Sequence, residues 1–381
     1  MDIHAHWTKR LAAALAAAAA VAALAACGSP TGQGGQTDPD KKSGQVPVPN
    51  GPIVVVASVN QWGSLAEEIG GEDVQVTSVL SSTGVDAHGF EPKAADRAAL
   101  SRADVVVANG AGYDAWATKS LRQDVLLVSA ADMVGAMEGD NPHLWFSKDA
   151  RAAMAKELAD AFAKERPGKA KDFQRRLEAW QGRENRLDEL TDGFAKADKG
   201  ASYAATEAVA HYLMADLGFE DVTPTGYAQA VASEGEPAPA DLKDFQEVLK
   251  RHEASLLIDN PQEASDAAGM IVDAAGQAQV PVMDVSEQMP GDHATLVGWI
   301  NALVNQIIDK VDPSYGCDQA DESDGTDGAG ESDPSGEAGG SDHAESADGA
   351  DGKDQEAIGR VCPADGADAQ GQPDQRSDQD E

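Results

Sequence analysis

Four side chains that could bind a metal ion follow predicted β-strands along this chain. The candidates are His88, His143, Glu207 and Glu287, and the strands predicted before them are Val74–Leu80, Val125–Ser129, Ser202–Ala205 and Val280–Val285. Loops beyond the carboxyl ends of parallel strands line the crevice of an open α/β sheet. Two imidazoles and two carboxylates that met across such a crevice would offer a divalent metal ion two nitrogen and two oxygen ligands.

Each of these residues also has a simpler explanation. A single histidine in a loop is more often a surface or capping residue, and Glu207 could be a first-turn acid that the helix dipole favours. The prediction therefore depends on the joint placement of the four side chains. His211, one helical turn after Glu207, and His293, near the start of the last predicted helix, are interpreted as residues that do not bind the metal.

The elements that would position these residues alternate between strands and helices. Further apolar runs at Ile53–Val59, Asp104–Ala108 and Leu256–Asp259 are also typical of strands, and helical patterns lie between them. This alternation predicts parallel βαβ units. We expect an α/β protein with two lobes of mainly parallel sheet, residues 52–168 and 199–315, and a metal cleft between the lobes.

Residues 169–198, between the lobes, are predicted to form one long linker helix. The segment contains no proline, and its large apolar residues recur at spacings of three, four and seven: they are Phe173, Leu177, Trp180, Leu187, Leu190 and Phe194. Such spacing places them on one face of a helix. At 1.5 Å per residue the helix would be about 43 Å long, which suits a rigid connection, and an ordinary pair of packed helices is the alternative.

The N-terminal residues 1–26 are typical of an export signal, because Lys9 and Arg10 precede an apolar run too short to span a bilayer. Leu24-Ala25-Ala26-Cys27 resembles the bacterial lipobox, which implies that Cys27 is lipidated; plain secretion with an incidental cysteine is the alternative. Residues 27–51 are rich in Gly, Pro and Ser and are expected to form a flexible tether. The mature protein would then be lipid-anchored at the extracytoplasmic face of the cytoplasmic membrane.

The C-terminal residues 316–381 are predicted to form an acidic, disordered tail, since they hold 20 acidic and 3 basic residues. In an exported protein we expect a disulfide between Cys317 and Cys362, with two free or intermolecular thiols as the alternative. The tail is interpreted as a solvated extension. The sharper alternative is that its carboxylates concentrate divalent cations near the cleft.

The formal net charge of −37 argues against a protein that binds nucleic acid through a basic face. The chain also lacks the Gly-x-Ser-x-Gly and His-Glu-x-x-His motifs of hydrolases and a phosphate-binding glycine loop. Four protein ligands would leave no open position on the metal, whereas a catalytic metal keeps one for water or substrate. We therefore expect a binding protein and not an enzyme, with a metallohydrolase as a weaker alternative.

Two histidine motifs resemble those of the substrate-binding lipoproteins of bacterial zinc/manganese ABC transporters, also called adhesin-type metal-binding lipoproteins. The motifs are Asp86-Ala87-His88-Gly89-Phe90-Glu91-Pro92, similar to the family's Asp-Pro-His-x-Phe/Tyr-Glu-Pro, and Asn141-Pro142-His143-Leu144-Trp145, similar to its (Asp/Asn)-Pro-His-x-Trp. The segments Ala205-Thr206-Glu207-Ala208-Val209 and Val285-Ser286-Glu287 resemble those that hold the third and fourth ligands. The resemblance covers Ile53 to about Asp312 and implies two α/β lobes joined by a long helix.

The chain departs from the family's pattern at two positions, and the alignment leaves a choice at the fourth ligand. Ala87 replaces a proline, which would alter the stiffness of that loop. Glu207 stands where zinc-specific members carry a third histidine. A small change of alignment would make Asp284 the fourth ligand in place of Glu287.

The resemblance implies that the protein captures a divalent transition-metal ion and delivers it to the permease of an ABC transporter. Zinc or manganese is the expected cargo, and iron also fits, since imidazole suits Zn²⁺ or Fe²⁺ while carboxylates favour Mn²⁺. We expect a monomer. A surface adhesin with a structural metal site is the alternative function, although aromatic residues form only 5% of the chain.

Overall fold

The computed structural model describes residues 51–85, 87, 89–317 and 357–363. The predicted signal peptide 1–26, Cys27 and the rest of the tether up to residue 50 lie outside this part of the chain, as do His88 and most of the predicted tail. Within the described residues, no helix is both long and apolar enough to cross a membrane.

Two four-stranded sheets, both entirely parallel, form the centre of the molecule. The first contains β1 (Ile53–Val59), β2 (Val74–Leu80), β3 (Val105–Ala108) and β4 (Leu126–Ser129), in the order β2-β1-β3-β4. The second contains β5 (Ser202–Ala205), β6 (Glu220–Asp221), β7 (Leu256–Asp259) and β8 (Val282–Asp284), in the order β6-β5-β7-β8. The two lobes therefore repeat one strand order, and the predicted α/β fold with two parallel-sheet lobes is confirmed.

Helices connect the strands and cover the sheets. In the first lobe they are α1 (Asn60–Gly70), α2 (Ala94–Leu100), α3 (Ala115–Thr118), α4 (Ala130–Val134) and α5 (Lys148–Glu165), and α6 (Ala170–Ala197) follows them. In the second lobe they are α7 (His211–Asp216), α8 (Thr225–Ala232), α9 (Pro239–Lys250), α10 (Asp266–Ala278) and α11 (Leu296–Val311). Strand β3 is buried along its whole length, as expected for a parallel strand covered by helices on both faces.

The long helix expected between the lobes is α6, a single element of 28 residues and so about 42 Å long. All six apolar residues of its predicted stripe are buried. The helix packs against α5 and α1 of the first lobe and α11 of the second. It is therefore held to both lobes along its length, which makes it a rigid strut.

A buried ion pair fixes α6 to the first lobe. The Nε and Nη2 atoms of Arg151, on α5, donate to Glu184 Oε1 on α6 at 2.8 and 2.5 Å. Arg151 Nη1 also donates to the carbonyl of Trp145 at 3.2 Å. Because Trp145 lies two residues after His143, the linker helix supports the loop that carries this candidate ligand.

One turn after Glu184, Asp188 should show a pH-dependent effect on stability. Burial, followed by the negative charge of Glu184, raises the pKa of Asp188 to about 6, against the opposing charges of Arg151 and Lys148. This folded-state pKa lies above the value of about 3.9 in an unfolded chain, so stability is lost as pH rises through about 6. Asp188→Asn should raise the free energy of unfolding by about 1 kcal/mol near pH 8, with solvent screening allowed for, and by almost nothing near pH 3.5. Urea unfolding at both pH values measures this, and an equal effect at both would contradict it.

Residues 357–363 pack against α11, so the prediction of disorder does not hold for this short part of the tail. Asn305 Nδ2 donates to the Gly359 carbonyl at 2.9 Å, and the Val361 N–H donates to Asn305 Oδ1 at 2.7 Å. Ile358 is only 9% exposed, and a disulfide joins Cys317 to Cys362. These seven residues, here called the C-terminal strap, are held by the disulfide, the Asn305 hydrogen bonds and the burial of Ile358.

Asn305 should be the main polar support of the C-terminal strap. Asn305→Ala removes the two hydrogen bonds above and leaves strap backbone groups without partners, so we expect a loss of about 2 kcal/mol in the free energy of unfolding. Denaturant unfolding of the oxidised protein measures the loss. Gln306→Ala, at the exposed neighbouring position on α11, is the control and should change stability by less than about 0.5 kcal/mol. Equal stability of the two variants would contradict the supporting role.

Candidate metal centre

Three of the four predicted ligands lie together between the lobes. His143 comes from the loop before α5, Glu207 follows β5, and Glu287 follows β8. One ligand atom from each lies within 4.8 Å of the other two. His143 and Glu287 are 3% and 1% exposed, so the cluster is largely closed to solvent.

The other histidines and Asp284 are placed differently. His88 lies outside the described residues. Asp284 is the last residue of β8, and its side chain is exposed. His211 is exposed at the start of α7, where its ring packs against Tyr212 with 5.4 Å between centroids, and His293 is partly exposed. Neither His211, His293 nor Asp284 is in the cluster that the described residues form.

Glu207 does not sit in the first turn of a helix. The helix that follows β5 is α7, and it begins only at His211, four residues after Glu207. The carboxylate instead accepts a hydrogen bond at Oε2 from Asn260 Nδ2 at 2.5 Å. Its Oε1 lies 3.4 Å from His143 Nε2. The helix-dipole explanation of Glu207 is therefore excluded.

Asn141 sets the orientation and the tautomer of His143. Its Oδ1 accepts the His143 backbone N–H and also lies 3.0 Å from His143 Nδ1. Its Nδ2 donates to the Ala208 carbonyl of the second lobe at 2.7 Å, which fixes the amide orientation. An amide oxygen only accepts, so Nδ1 carries a proton and Nε2 is the ring nitrogen that faces Glu207. His143 Nε2 is buried without a hydrogen-bond partner, as a nitrogen that awaits a metal would be.

Two neutral donors orient the carboxylates. Asn260 Nδ2 donates to Glu207 Oε2 and lies 3.2 Å from Glu287 Oε1, so one amide contacts both acids. The Tyr113 hydroxyl donates to Glu287 Oε2 at 2.5 Å. Burial, followed by the charge of Glu287, raises the pKa of Tyr113 well above its usual range, so the hydroxyl keeps its proton. Uncharged donors thus hold Glu207 at one oxygen and Glu287 at both.

A left-handed turn after β3 presents Tyr113 to the cluster. Gly110, Ala111 and Gly112 have φ values of 79°, 53° and 88° in succession. Glycine is required at the first of these, where a Cβ atom would lie 2.5 Å from the Cβ of Ala131. Asp114 closes the turn by accepting the N–H groups of Asn109 and Gly110 at 2.6 and 2.8 Å.

Aromatic rings border the cluster on the first-lobe side. The Tyr113 and Trp145 rings meet edge to face with 5.3 Å between centroids, and those of His143 and Trp145 do so at 5.5 Å. Trp145 is fully buried. An apolar border of this kind limits the access of water and strengthens electrostatic interactions at the site.

Sequence reasoning missed Tyr113 and Asn260. Asn260 directly follows β7, and Tyr113 follows the glycine-containing turn after β3. Their position after strand ends was a usable signal, because the other candidate ligands were chosen as polar residues that follow strands. The same rule applied to every strand would have included both residues.

Comparison with known proteins agrees with this geometry. The family described as ZnuA, zinc-uptake complex component A, periplasmic, matches residues 55–310. The chain belongs to the ZnuA family. The matched span contains all four predicted ligands, and the resemblance inferred from the two histidine motifs is confirmed.

Relatives and solved structures extend this result. The iron-binding protein YfeA of Yersinia pestis is 21% identical over 274 residues, which are 69% of this chain and 86% of YfeA. The manganese ABC transporter substrate-binding lipoprotein ScaA of Streptococcus gordonii is 24% identical over 216 residues, 52% of this chain and 68% of ScaA. The structure of the periplasmic zinc-binding protein TroA from Treponema pallidum matches with a TM-score of 0.58 at 20% identity, over 68% of this chain and 99% of TroA. TroA and this ZnuA-family chain therefore share a fold.

Proposed function

We propose that the protein captures one divalent transition-metal ion between its lobes and delivers it to the permease of an ABC transporter. His88, His143, Glu207 and Glu287 would bind the ion. The observation that carries the proposal is that one nitrogen and two carboxylate oxygens, contributed by two lobes, lie within 4.8 Å of one another.

A cation accounts for this arrangement better than a purely structural role does. Two carboxylates this close repel each other. Asn260 and Tyr113 supply hydrogen bonds to them but no positive charge. A divalent ion would balance both acids and would also bind His143 Nε2, which is buried without a hydrogen-bond partner.

Capture suits this site better than catalysis. With four protein ligands the shell is full, whereas a catalytic metal needs an open position for water or substrate. Both acids of the cluster would be ligands, so neither is free to act as a general base. We therefore propose a binding protein without enzymatic activity.

The proposed place of work is the extracytoplasmic face of the cytoplasmic membrane, with a lipid anchor on Cys27. The family's description as a periplasmic uptake component and the name of ScaA support an ABC-transporter permease as the partner. A monomer is sufficient for this role, because both lobes that form the site belong to one chain.

The donor atoms limit which metal ions the site would bind. Two imidazoles with two carboxylates suit Zn²⁺, Fe²⁺ or Mn²⁺, and the relatives are named for all three metals. Zn²⁺ binds more tightly than Mn²⁺ at almost any such site. Affinity measured in vitro therefore does not identify the biological cargo.

Elemental analysis of the protein purified from its own host, followed by titration of the metal-free protein with Zn²⁺ and with Mn²⁺, tests the proposal. We expect one tightly bound ion per chain and no hydrolysis of ester, amide or phosphate substrates by the loaded protein. Protein that carries no metal from its host and shows no tight site in either titration would contradict the proposal.

A further inference from the structure

Two amide side chains of the first lobe hold the backbone of a ligand segment from the second lobe. Asn60 and Gln61 are the first residues of α1, directly after β1. Asn60 Nδ2 donates to the Met289 carbonyl at 2.6 Å, and the Met289 N–H donates to Asn60 Oδ1 at 3.2 Å. Gln61 Nε2 donates to the Glu287 carbonyl. These three hydrogen bonds are here called the interlobe clasp.

The interlobe clasp is fully buried at Gln61 and half-buried at Asn60. Gln61 and Glu287 are 0% and 1% exposed, and Met289 is 7% exposed. Water cannot readily replace these hydrogen bonds, so opening them would leave buried amide and carbonyl groups without partners. The clasp therefore resists separation of the two lobes at this point.

Both acidic ligands belong to the second lobe, but Glu287 is also held from the first lobe. Glu287 is held from the first lobe by the clasp through its backbone and by Tyr113 through its carboxylate. Within the second lobe, Asn260 contacts the carboxylates of both Glu207 and Glu287, and Gln262 Oε1 accepts the Glu287 N–H at 2.7 Å. When the lobes separate, either the clasp opens or Glu287 moves away from Glu207. Both events take the metal site apart, which makes the clasp a barrier to release.

We propose that Asn60 and Gln61 are positioning residues that hold Glu287 at the metal and slow the release of the ion. The inference rests on the proposed function and adds to it a control of the release rate by groups that do not bind the metal. Loss of the clasp should leave the four ligands in place but let the Glu287 segment move away more often. The dissociation rate should then rise while the association rate and the ligand set stay the same.

Release of Co²⁺ into excess chelator, followed by its absorption spectrum, tests the proposal on the mature protein. Gln61→Met keeps the volume of the buried side chain but removes the hydrogen bond, and Asn60→Ala removes the other two. Each should raise the dissociation rate about 10–100-fold, which is the effect on metal affinity expected when a group that supports a ligand is removed. The Co²⁺ spectrum should stay unaltered, because the ligands themselves are unchanged. Ser64→Ala, one turn further on α1 at a buried position outside the clasp, should release Co²⁺ at the wild-type rate.

Hydrogen exchange of the metal-free protein separates loss of the clasp from a general loss of stability. In Asn60→Ala the Met289 amide should exchange faster, while the Val285 amide, which donates to the Asp259 carbonyl at 2.8 Å, should keep its protection. Wild-type release rates in both variants, or equal loss of protection at both amides, would overturn the proposal. If Gln61→Met does not fold, Asn60→Ala, at a half-buried position, decides the question alone. A wild-type protein that binds no Co²⁺ or Zn²⁺ would refute the proposed function, and exchange at Met289 would still decide whether the clasp holds the segment.

Discussion

His143→Ala is expected to weaken metal binding by more than about 100-fold. Removing a group that only supports a metal ligand typically weakens binding by about 10–100-fold, and loss of the ligand itself should cost more. The substitution removes a ring nitrogen that we propose as a ligand and that Asn141 orients toward the two acids. Among the described residues, the rings that border the site are an apolar indole and a protonated phenol, which would not replace the imidazole. Competition with a chromogenic chelator for Zn²⁺ measures the change in affinity.

His211→Ala is the matched control for this experiment. His211 is a histidine of the second lobe near the site in sequence, four residues after Glu207, but its side chain is exposed and it is not part of the cluster. Its replacement should leave the affinity within about threefold of wild type, since exposed substitutions away from a site change free energies by about 0.5 kcal/mol or less. Equal affinities in the two variants would remove His143 from the ligand set.

The lobes could be predicted from the sequence because their pattern is local. Parallel strands buried on both faces appear as short β-branched runs, and β1 and β3 follow this rule closely. The linker helix could be predicted because its six apolar residues recur at helical spacing without a proline. Both signals span fewer than 30 residues, so the chain displays them without any knowledge of its tertiary contacts.

The elements that escaped prediction lack such a signal. Helix α8 buries only Tyr227 and so shows no apolar stripe. The C-terminal strap depends on Asn305, which lies 54 residues before Gly359. A pattern read along the chain cannot detect a segment that folds through contacts this distant.

The same limit, that contacts between distant parts of the chain leave no local pattern, explains which residues of the metal site could be predicted. His143 and Glu287 are recognisable because motifs and strand ends mark them. Their supporting residues are marked by distant contacts, such as Tyr113 with Glu287, 174 residues apart, and Asn60 with Met289, 229 residues apart. The ligand types are therefore visible in the sequence, whereas the groups that orient them emerge only when the two lobes are assembled.

Glu287→Gln is expected to abolish tight metal binding while leaving the metal-free protein at least as stable as wild type. The change keeps the size of the side chain but replaces a charged oxygen ligand by a neutral amide, which binds divalent cations weakly in a four-ligand site. It also removes the repulsion between two acids whose ligand atoms lie within 4.8 Å of each other, which costs stability when no cation is present. Zinc titration and urea unfolding of the metal-free protein measure the two effects separately.

Asp284→Asn is the matched control, and it also decides the identity of the fourth ligand. Asp284 ends β8 three residues before Glu287, but its side chain is exposed and the cluster of described residues does not include it. Its replacement should change zinc affinity by less than about threefold, since an exposed acid contributes only through screened charge. If Asp284→Asn lowered the affinity more than Glu287→Gln did, the fourth ligand would be Asp284, and the interlobe clasp would then hold a segment that does not bind the metal.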